Sequence, residues 1–328
     1  MTNHALDTPP LGRLYDVAGR RIMVHRSGAG GPPVVFLPGA GAVGLDYLNV
    51  HDRVAELTTS VLYDRAGTGW SEPVELPRTA AEVTDELRET LTAAGVPGPY
   101  VLAGHSMGGA YARHHARRFP GDVAALLLLD PFHEDMAARA PRQAREMLDQ
   151  MKDQALPEPT PEQLDAARPA VTRLLAAWPD GVREALVDHH ISAWRTGWLE
   201  GRNLYDQVSE EFRTAPPDPD VPVIVLSAMG ADATQSQLWP EDVLREINAG
   251  KLALHAELAA SFPRGEHRVL DDAGHGWLHE ERRDAVLQAL ADLLRPCEAQ
   301  GRSALSARST SASAYCGVSG PERSSQRW

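Results

Sequence analysis

The run Tyr100-Val-Leu-Ala-Gly104-His105-Ser106-Met107-Gly108-Gly109 constrains the fold more than any other part of the chain. An apolar stretch, a Gly-x-Ser-x-Gly pentapeptide and a helical pattern follow one another without a gap. That combination predicts a sharp strand-to-helix turn holding a serine in strained dihedrals. Side chains at Gly104 and Gly108 would collide with neighbouring backbone in such a turn. The turn lifts the Ser106 hydroxyl clear of a sheet edge, at the start of the next helix. The helix dipole and the Met107 N–H then face any negative charge that develops there.

Short apolar runs and helical patterns alternate around this turn. Arg13–Val17 and Arg21–Arg26 read as a hairpin about Ala18-Gly19-Arg20. Val34–Leu37, Ser60–Tyr63, Tyr100–Ala103, Val123–Leu129, Val223–Leu226 and His267–Leu270 read as strands buried on both faces. Leu45–Leu57, Thr79–Ala94, Met107–Phe119 and Glu281–Leu294 carry helical spacing. Strands alternating with helices predict an α/β fold, a mostly parallel sheet covered on both sides. Pro131 to Asp220 holds no convincing strand and reads as a helical insertion, a cap, between two strands of one sheet. The core is then 1–130 with 221–296. The stretch 297–328 is rich in serine and arginine and poor in large apolar residues, so disorder is expected.

Composition excludes several classes of function. The chain has 328 residues and a net charge of −13, which argues against nucleic acid as a partner. The longest apolar run, Val123–Leu129, falls far short of the roughly 20 residues of a membrane span, and the N-terminus shows no secretory signal pattern. Two cysteines, Cys297 and Cys316, can build neither a disulfide framework nor a four-ligand zinc site. The expected setting is reducing and cytoplasmic. Of 32 basic residues only Lys152 and Lys251 are lysine, a bias attributed to genomic base composition.

A serine hydroxyl needs a base to act as a nucleophile. Asp272-Ala-Gly274-His275-Gly276 follows the last strand and precedes the last helix, which places His275 to reach Ser106. The histidine needs an acid to fix its tautomer. Asp232, after the Val223–Leu226 strand, and Asp130, ending the Val123–Leu129 strand, both give the order Ser, Asp, His. Asp232 is preferred, because the strand beside the histidine loop most often supplies the acid. The second oxyanion donor is expected from Pro38-Gly39-Ala40-Gly41, at the Ala40 N–H, beside that of Met107.

With these pieces in view, the chain resembles the α/β-hydrolase superfamily, in its capped, cofactor-independent serine branch. The resemblance rests on Leu37-Pro38-Gly39-Ala40-Gly41, Tyr63-Asp-Arg65-Ala-Gly67-Thr-Gly69-Trp-Ser71, Gly104–Gly109 and Gly274-His275, and covers roughly Leu11 to Leu294. Pro38 stands where relatives often have histidine, and the Ser227–Asp232 turn is slightly longer than usual. The resemblance implies hydrolysis of an ester, lactone, thioester or amide of a small molecule, with no metal or organic cofactor. Acyl transfer or perhydrolysis would use the same serine and histidine.

A competing reading starts from Gly39-Ala-Gly41-Ala-Val-Gly44, a literal G-x-G-x-x-G followed at Asp64 by an acid, the pattern of a nicotinamide-dependent oxidoreductase. Bulky Leu45, Asp46 and Tyr47 count against it. Trp194 and Trp198 are expected on one helical face. The pairs His114-His115 and His189-His190 lack a third metal ligand.

Overall fold

The computed structural model describes residues 8–152, 158–230, 235–236 and 239–295. The expected strand at 34–37 forms β3 (Val34–Leu37), and all four residues are fully buried. Continuous burial explains why the run does not alternate in polarity. Alternation appears instead in what each side chain meets. Val35 and Leu37 join one core cluster, while Val34 and Phe36 join another on the opposite face.

The remaining strands are β1 (Arg13–Val17), β2 (Arg20–Ser27), β4 (Ser60–Tyr63), β5 (Tyr100–His105), β6 (Val123–Leu129), β7 (Val223–Ala228) and β8 (Gly265–Leu270). They form one sheet in the order β1-β2-β4-β3-β5-β6-β7-β8. The β1–β2 and β2–β4 pairs are antiparallel and the rest are parallel. Strand order runs back across β3 and then outward through β5. The carboxyl ends of β3, β5, β6 and β7 therefore lie side by side, where open α/β sheets place their ligands.

Helices cover both faces. α1 (Leu48–Ala55) packs with the second cluster, and α2 (Ala80–Ala93) and α3 (Met107–Arg118) with the first. α2 starts at a reciprocal cap. Thr79 Oγ1 accepts from Glu82 N–H at 3.0 Å, and Glu82 Oε2 accepts from Thr79 N–H at 2.8 Å. The expected helix over Leu45–Leu57 begins as a 3₁₀ turn, Gly44–Tyr47, before α1.

Between β6 and β7 the described residues form helices and no strand: α4 (Met136–Arg139), α5 (Arg142–Lys152), α6 (Pro161–Leu174), α7 (Asp180–Ser192), α8 (Thr196–Gly201), a π turn at Leu204–Val208, and α9 (Ser209–Thr214). Trp194 lies in the turn between α7 and α8 and Trp198 within α8, so they do not share one helical face as expected. After β7 comes α10 (Glu241–Ser261), which is absent from the sequence expectations. Its signal was present: Pro240 precedes Glu241 and Asp242 in an acidic first turn. α11 (Leu278–Glu281) and α12 (283–295) complete the chain. The expected tail 297–328, with Cys297 and Cys316, lies outside the described residues.

The turn at Ser106 shows why its glycines are required. A Cβ on Gly104 would stand 2.4 Å from Gly108 O, and one on Gly108 would stand 2.0 Å from Leu37 O and 2.5 Å from Pro38 O. Each contact is with backbone, which cannot swing aside. Gly108→Ala is expected to destabilise the protein by about 1–3 kcal/mol, read as a lower thermal midpoint. Gly121→Ala, where an added Cβ meets nothing within 4 Å, leaves the midpoint in place. Equal midpoints for the two variants would contradict this account of the turn.

Candidate active site

Ser106 adopts φ 52° and ψ −120° between β5 and α3. Among the described residues, three non-glycine residues have positive φ: Ala18 in the hairpin turn, Ser106, and Asp130 at 42°. Such conformations cost of order 1–3 kcal/mol each and persist only where surroundings impose them. Two of the three thus face each other across one site.

His275 joins them. Its Nε2 lies 3.0 Å from Ser106 Oγ, and its Nδ1 lies 2.6 Å from Asp130 Oδ2. A buried carboxylate accepts, so Nδ1–H donates to Asp130 and Nε2 is free to accept from the serine hydroxyl. Asp130 also accepts from Ala228 N–H at 3.0 Å and from Lys251 Nζ at 2.9 Å. Burial alone would raise its pKa. The hydrogen bond and charge of His275, with the charge of Lys251, outweigh burial and hold the carboxyl well below the usual range. Asp232, the preferred acid of the sequence reading, lies outside the described residues. The acid bonded to His275 is the alternative, Asp130.

His105 fixes the histidine loop from behind. Its Nε2 lies 2.8 Å from the His275 carbonyl, and its Nδ1 lies 2.9 Å from Tyr47 Oη. A carbonyl only accepts, so Nε2 carries the proton and Nδ1 accepts from the tyrosine. Burial, helped by His275 and His279, brings His105 down to about 3, so the ring stays neutral.

The expected oxyanion donors are the N–H groups of Met107 and Ala40. Met107 is the first residue of α3, so its N–H has no acceptor within the helix. Ala40 sits between immobilised peptide groups. Arg65 donates to Pro38 O at 2.6 Å and to Gly39 O at 2.8 Å. Glu200 of α8 accepts from Gly41 N–H at 2.7 Å and pairs with Arg65 at 2.9 Å. Gly197 packs so closely that a Cβ on Gly41 would stand 2.9 Å from its Cα. Neither Arg65 nor Glu200 was expected in this role. A buried arginine in a glycine-rich loop is the available signal for the first. Glu200 has none, since its partner is 135 residues away.

A cavity of about 350 Å³ opens beside this loop, lined by Ala40, Gly41, His190, Trp194, Gly197 and Trp277 among others. Trp198 instead lies under the Arg202 guanidinium, 4.8 Å from its ring centre. The acid of the dinucleotide pattern, Asp64, is fully buried. It accepts from Gly44 N–H at 2.8 Å and Trp70 N–H at 2.9 Å, out of reach of a ribose. Among the described residues no group of three or more His, Cys, Asp or Glu is arranged to hold a metal. No helix among them is long and apolar enough to cross a membrane.

A sequence model described as the alpha/beta hydrolase family matches residues 34–289. The chain belongs to that family. Lipase LipV of Mycobacterium tuberculosis is 38% identical over 107 residues, covering 31% of this chain and 37% of that protein. The aligned stretches span 15% to 45% of the lengths of the curated relatives matched. The thermophilic esterase from Thermogutta terrifontis superposes with a TM-score of 0.57 at 18% identity, covering 86% of this chain and 97% of that one. The enol-lactonase from Burkholderia xenovorans LB400 gives 0.55 at 18%, covering 86% and 99%. At that identity the likeness is one of fold.

One further pair joins the helical segment to the core beside the cavity. His190 Nε2 lies 2.8 Å from Asp46 Oδ1. Burial opposes the charged ring, but the charge and hydrogen bond of Asp46 outweigh it and raise the His190 pKa. A histidine raised in the folded state stabilises fully below its unfolded pKa of about 6.5, and the contribution is lost as pH rises through the folded value. The thermal midpoint of the wild type is therefore expected to fall from neutral to mildly alkaline pH more steeply than that of His190→Gln. Parallel profiles would refute a charged His190.

Proposed function

We propose that the protein is a serine hydrolase that cleaves an ester, lactone or related acyl bond of a small molecule through an acyl-enzyme. The observation that carries this reading is the chain Ser106 Oγ, His275 Nε2 and Nδ1, Asp130 Oδ2, at 3.0 and 2.6 Å. The family match and the lipase and esterase relatives support it.

In the proposed mechanism His275 takes the Ser106 proton as Oγ attacks the acyl carbonyl. Asp130 keeps Nδ1 protonated and stabilises the imidazolium that forms. The N–H groups of Met107 and Ala40 hold the oxyanion. The tetrahedral intermediate collapses, and the leaving oxygen or nitrogen departs with the proton from His275. Water then gives a proton to His275 and attacks the acyl-serine, releasing the carboxylic acid and restoring Ser106. A donor lost from the oxyanion pair would cost about 10²–10³ in turnover. The helical segment acts as a cap, and the cavity beside Ala40 receives a small acyl or leaving group.

Hydrolysis of p-nitrophenyl acetate and butyrate, with fluorophosphonate labelling located by mass, tests the reading. Wild type should turn over and carry the label on Ser106. Ser106→Ala should fold normally and lose both. Asp130→Asn should lose several orders of magnitude, on the scale of about 10⁴ for removal of such an acid. Turnover retained in Ser106→Ala would sink the mechanism. Near-wild-type rates in Asp130→Asn would remove Asp130 from it. Labelling without turnover would replace water by another acyl acceptor.

A further inference from the structure

Lys251 is one of two lysines among 32 basic residues, and it is buried, 7% exposed. It sits on α10 with Nζ 2.9 Å from Asp130 Oδ2 and 2.6 Å from Ala228 O. A buried ammonium is costly without such partners. The same carboxylate oxygen, Oδ2, accepts from Lys251 and from His275 Nδ1. The ammonium is therefore one oxygen atom removed from the base.

The other groups around this point carry no competing positive charge. His255, also on α10, lies 3.8 Å from Asp130 Oδ1. Its Nε2–H donates to Pro131 O at 2.9 Å, so its Nδ1 accepts from Ser227 Oγ at 2.7 Å. Ser227 in turn accepts from His267 of β8 at 2.8 Å. Burial lowers His255 to about 4, so the ring is neutral. On the other side of His275 stands neutral His105 of β5, ring centres 5.1 Å apart, with neutral His279 of α11 beyond it. Among the described residues, the charged groups bonded to the His275 ring are Asp130 and, through it, Lys251; on the backbone of the same loop, the Glu281 carboxylate of α11 accepts from Gly274 N–H at 2.6 Å.

We propose that Lys251 is a positioning residue for the reaction proposed above: it holds Asp130 ionised and in place, and its charge sets the pH at which His275 can act as a base. The inference rests on the triad reading. Its sign is definite. A like charge on the shared carboxylate disfavours a second cation there, so removing the ammonium should favour protonation of the ring.

The experiment is the pH dependence of fluorophosphonate labelling at Ser106 in wild type, Lys251→Met and Lys251→Gln. Both neutral variants should move the acid limb upward by about one pH unit or more. Lys251→Arg should leave it in place. A limb that stays put in the neutral variants, whatever the plateau rate, overturns the inference and makes Lys251 a purely structural ion-pair partner. Unfolding of the single variants is met by a second measurement. Asp130→Asn and Asp130→Asn/Lys251→Met are compared by NMR titration of the His275 ring, since the double variant buries no unpaired charge. The ring should titrate higher, by about one unit, in the double variant; equal values overturn the coupling. The triad reading fails separately, if Asp130→Asn labels at the wild-type rate.

Discussion

The site is organised around the carboxylate of Asp130, which is 1% exposed. A buried charge must be paired and hydrogen-bonded, and the three donors of Asp130 come from three other parts of the fold. Ala228 N–H is the end of β7, Lys251 Nζ belongs to α10, and His275 Nδ1 comes from the loop after β8. Asp130 itself ends β6 in a left-handed conformation. Taking away any one donor leaves a charge the interior cannot solvate. The position of His275 is therefore fixed by the same interaction that docks α10 and the last loop onto the sheet.

A second buried pair, Arg65 with Glu200, performs the corresponding service for the loop after β3. Pro38 has no N–H and no polar side chain, so the loop cannot be supported from that residue. Its carbonyl and that of Gly39 are instead held by Arg65, whose planar fork also reaches Glu200. Glu200 belongs to the helical segment and takes the Gly41 N–H as well. The segment that shapes the cavity is thus the one that orients the Ala40 peptide. The close approach of Gly197 to Gly41 leaves no side chain between them. Docking of the helices and shape of the loop after β3 are one structural variable.

The sheet was legible because parallel strands buried on both faces read as unbroken apolar runs, as Val34–Leu37 and Val123–Leu129 do. Ser106 was legible because its glycines are imposed by backbone contacts that no side chain can relieve. His275, bonded to Ser106 in the structure, was legible from its place on the loop after a strand; Met107 and Ala40 were read as oxyanion donors from a helix start and a strand end. The choice between Asp130 and Asp232 was not legible. Both follow apolar runs that read as strands, both lie between Ser106 and His275 in sequence, and chain order cannot tell which one faces the histidine. What marks Asp130 is its partnership with Lys251, and α10, which carries that lysine, lacks a clear apolar stripe. Glu200 was illegible for a related reason: a lone acid in an alanine- and charge-rich helical stretch has nothing local to set it apart.

The two strained residues explain how the site keeps its dimensions. Ser106 follows β5 and Asp130 ends β6, neighbouring strands in register up to His105 and Leu129. Ser106 N–H donates to Leu129 O at 3.0 Å, and Phe132 N–H donates to Ser106 O at 2.9 Å. The turns at Ser106 and Asp130 are therefore bonded to each other through backbone on both sides of Asp130. Their separation is set by the spacing of the sheet, a rigid quantity, and does not depend on loop conformation. His275 alone arrives from a loop, and His105, which precedes Ser106, holds its carbonyl. Each member of the chain is positioned by backbone belonging to another, so strain at Ser106 and Asp130 cannot relax without breaking bonds at the neighbouring turn.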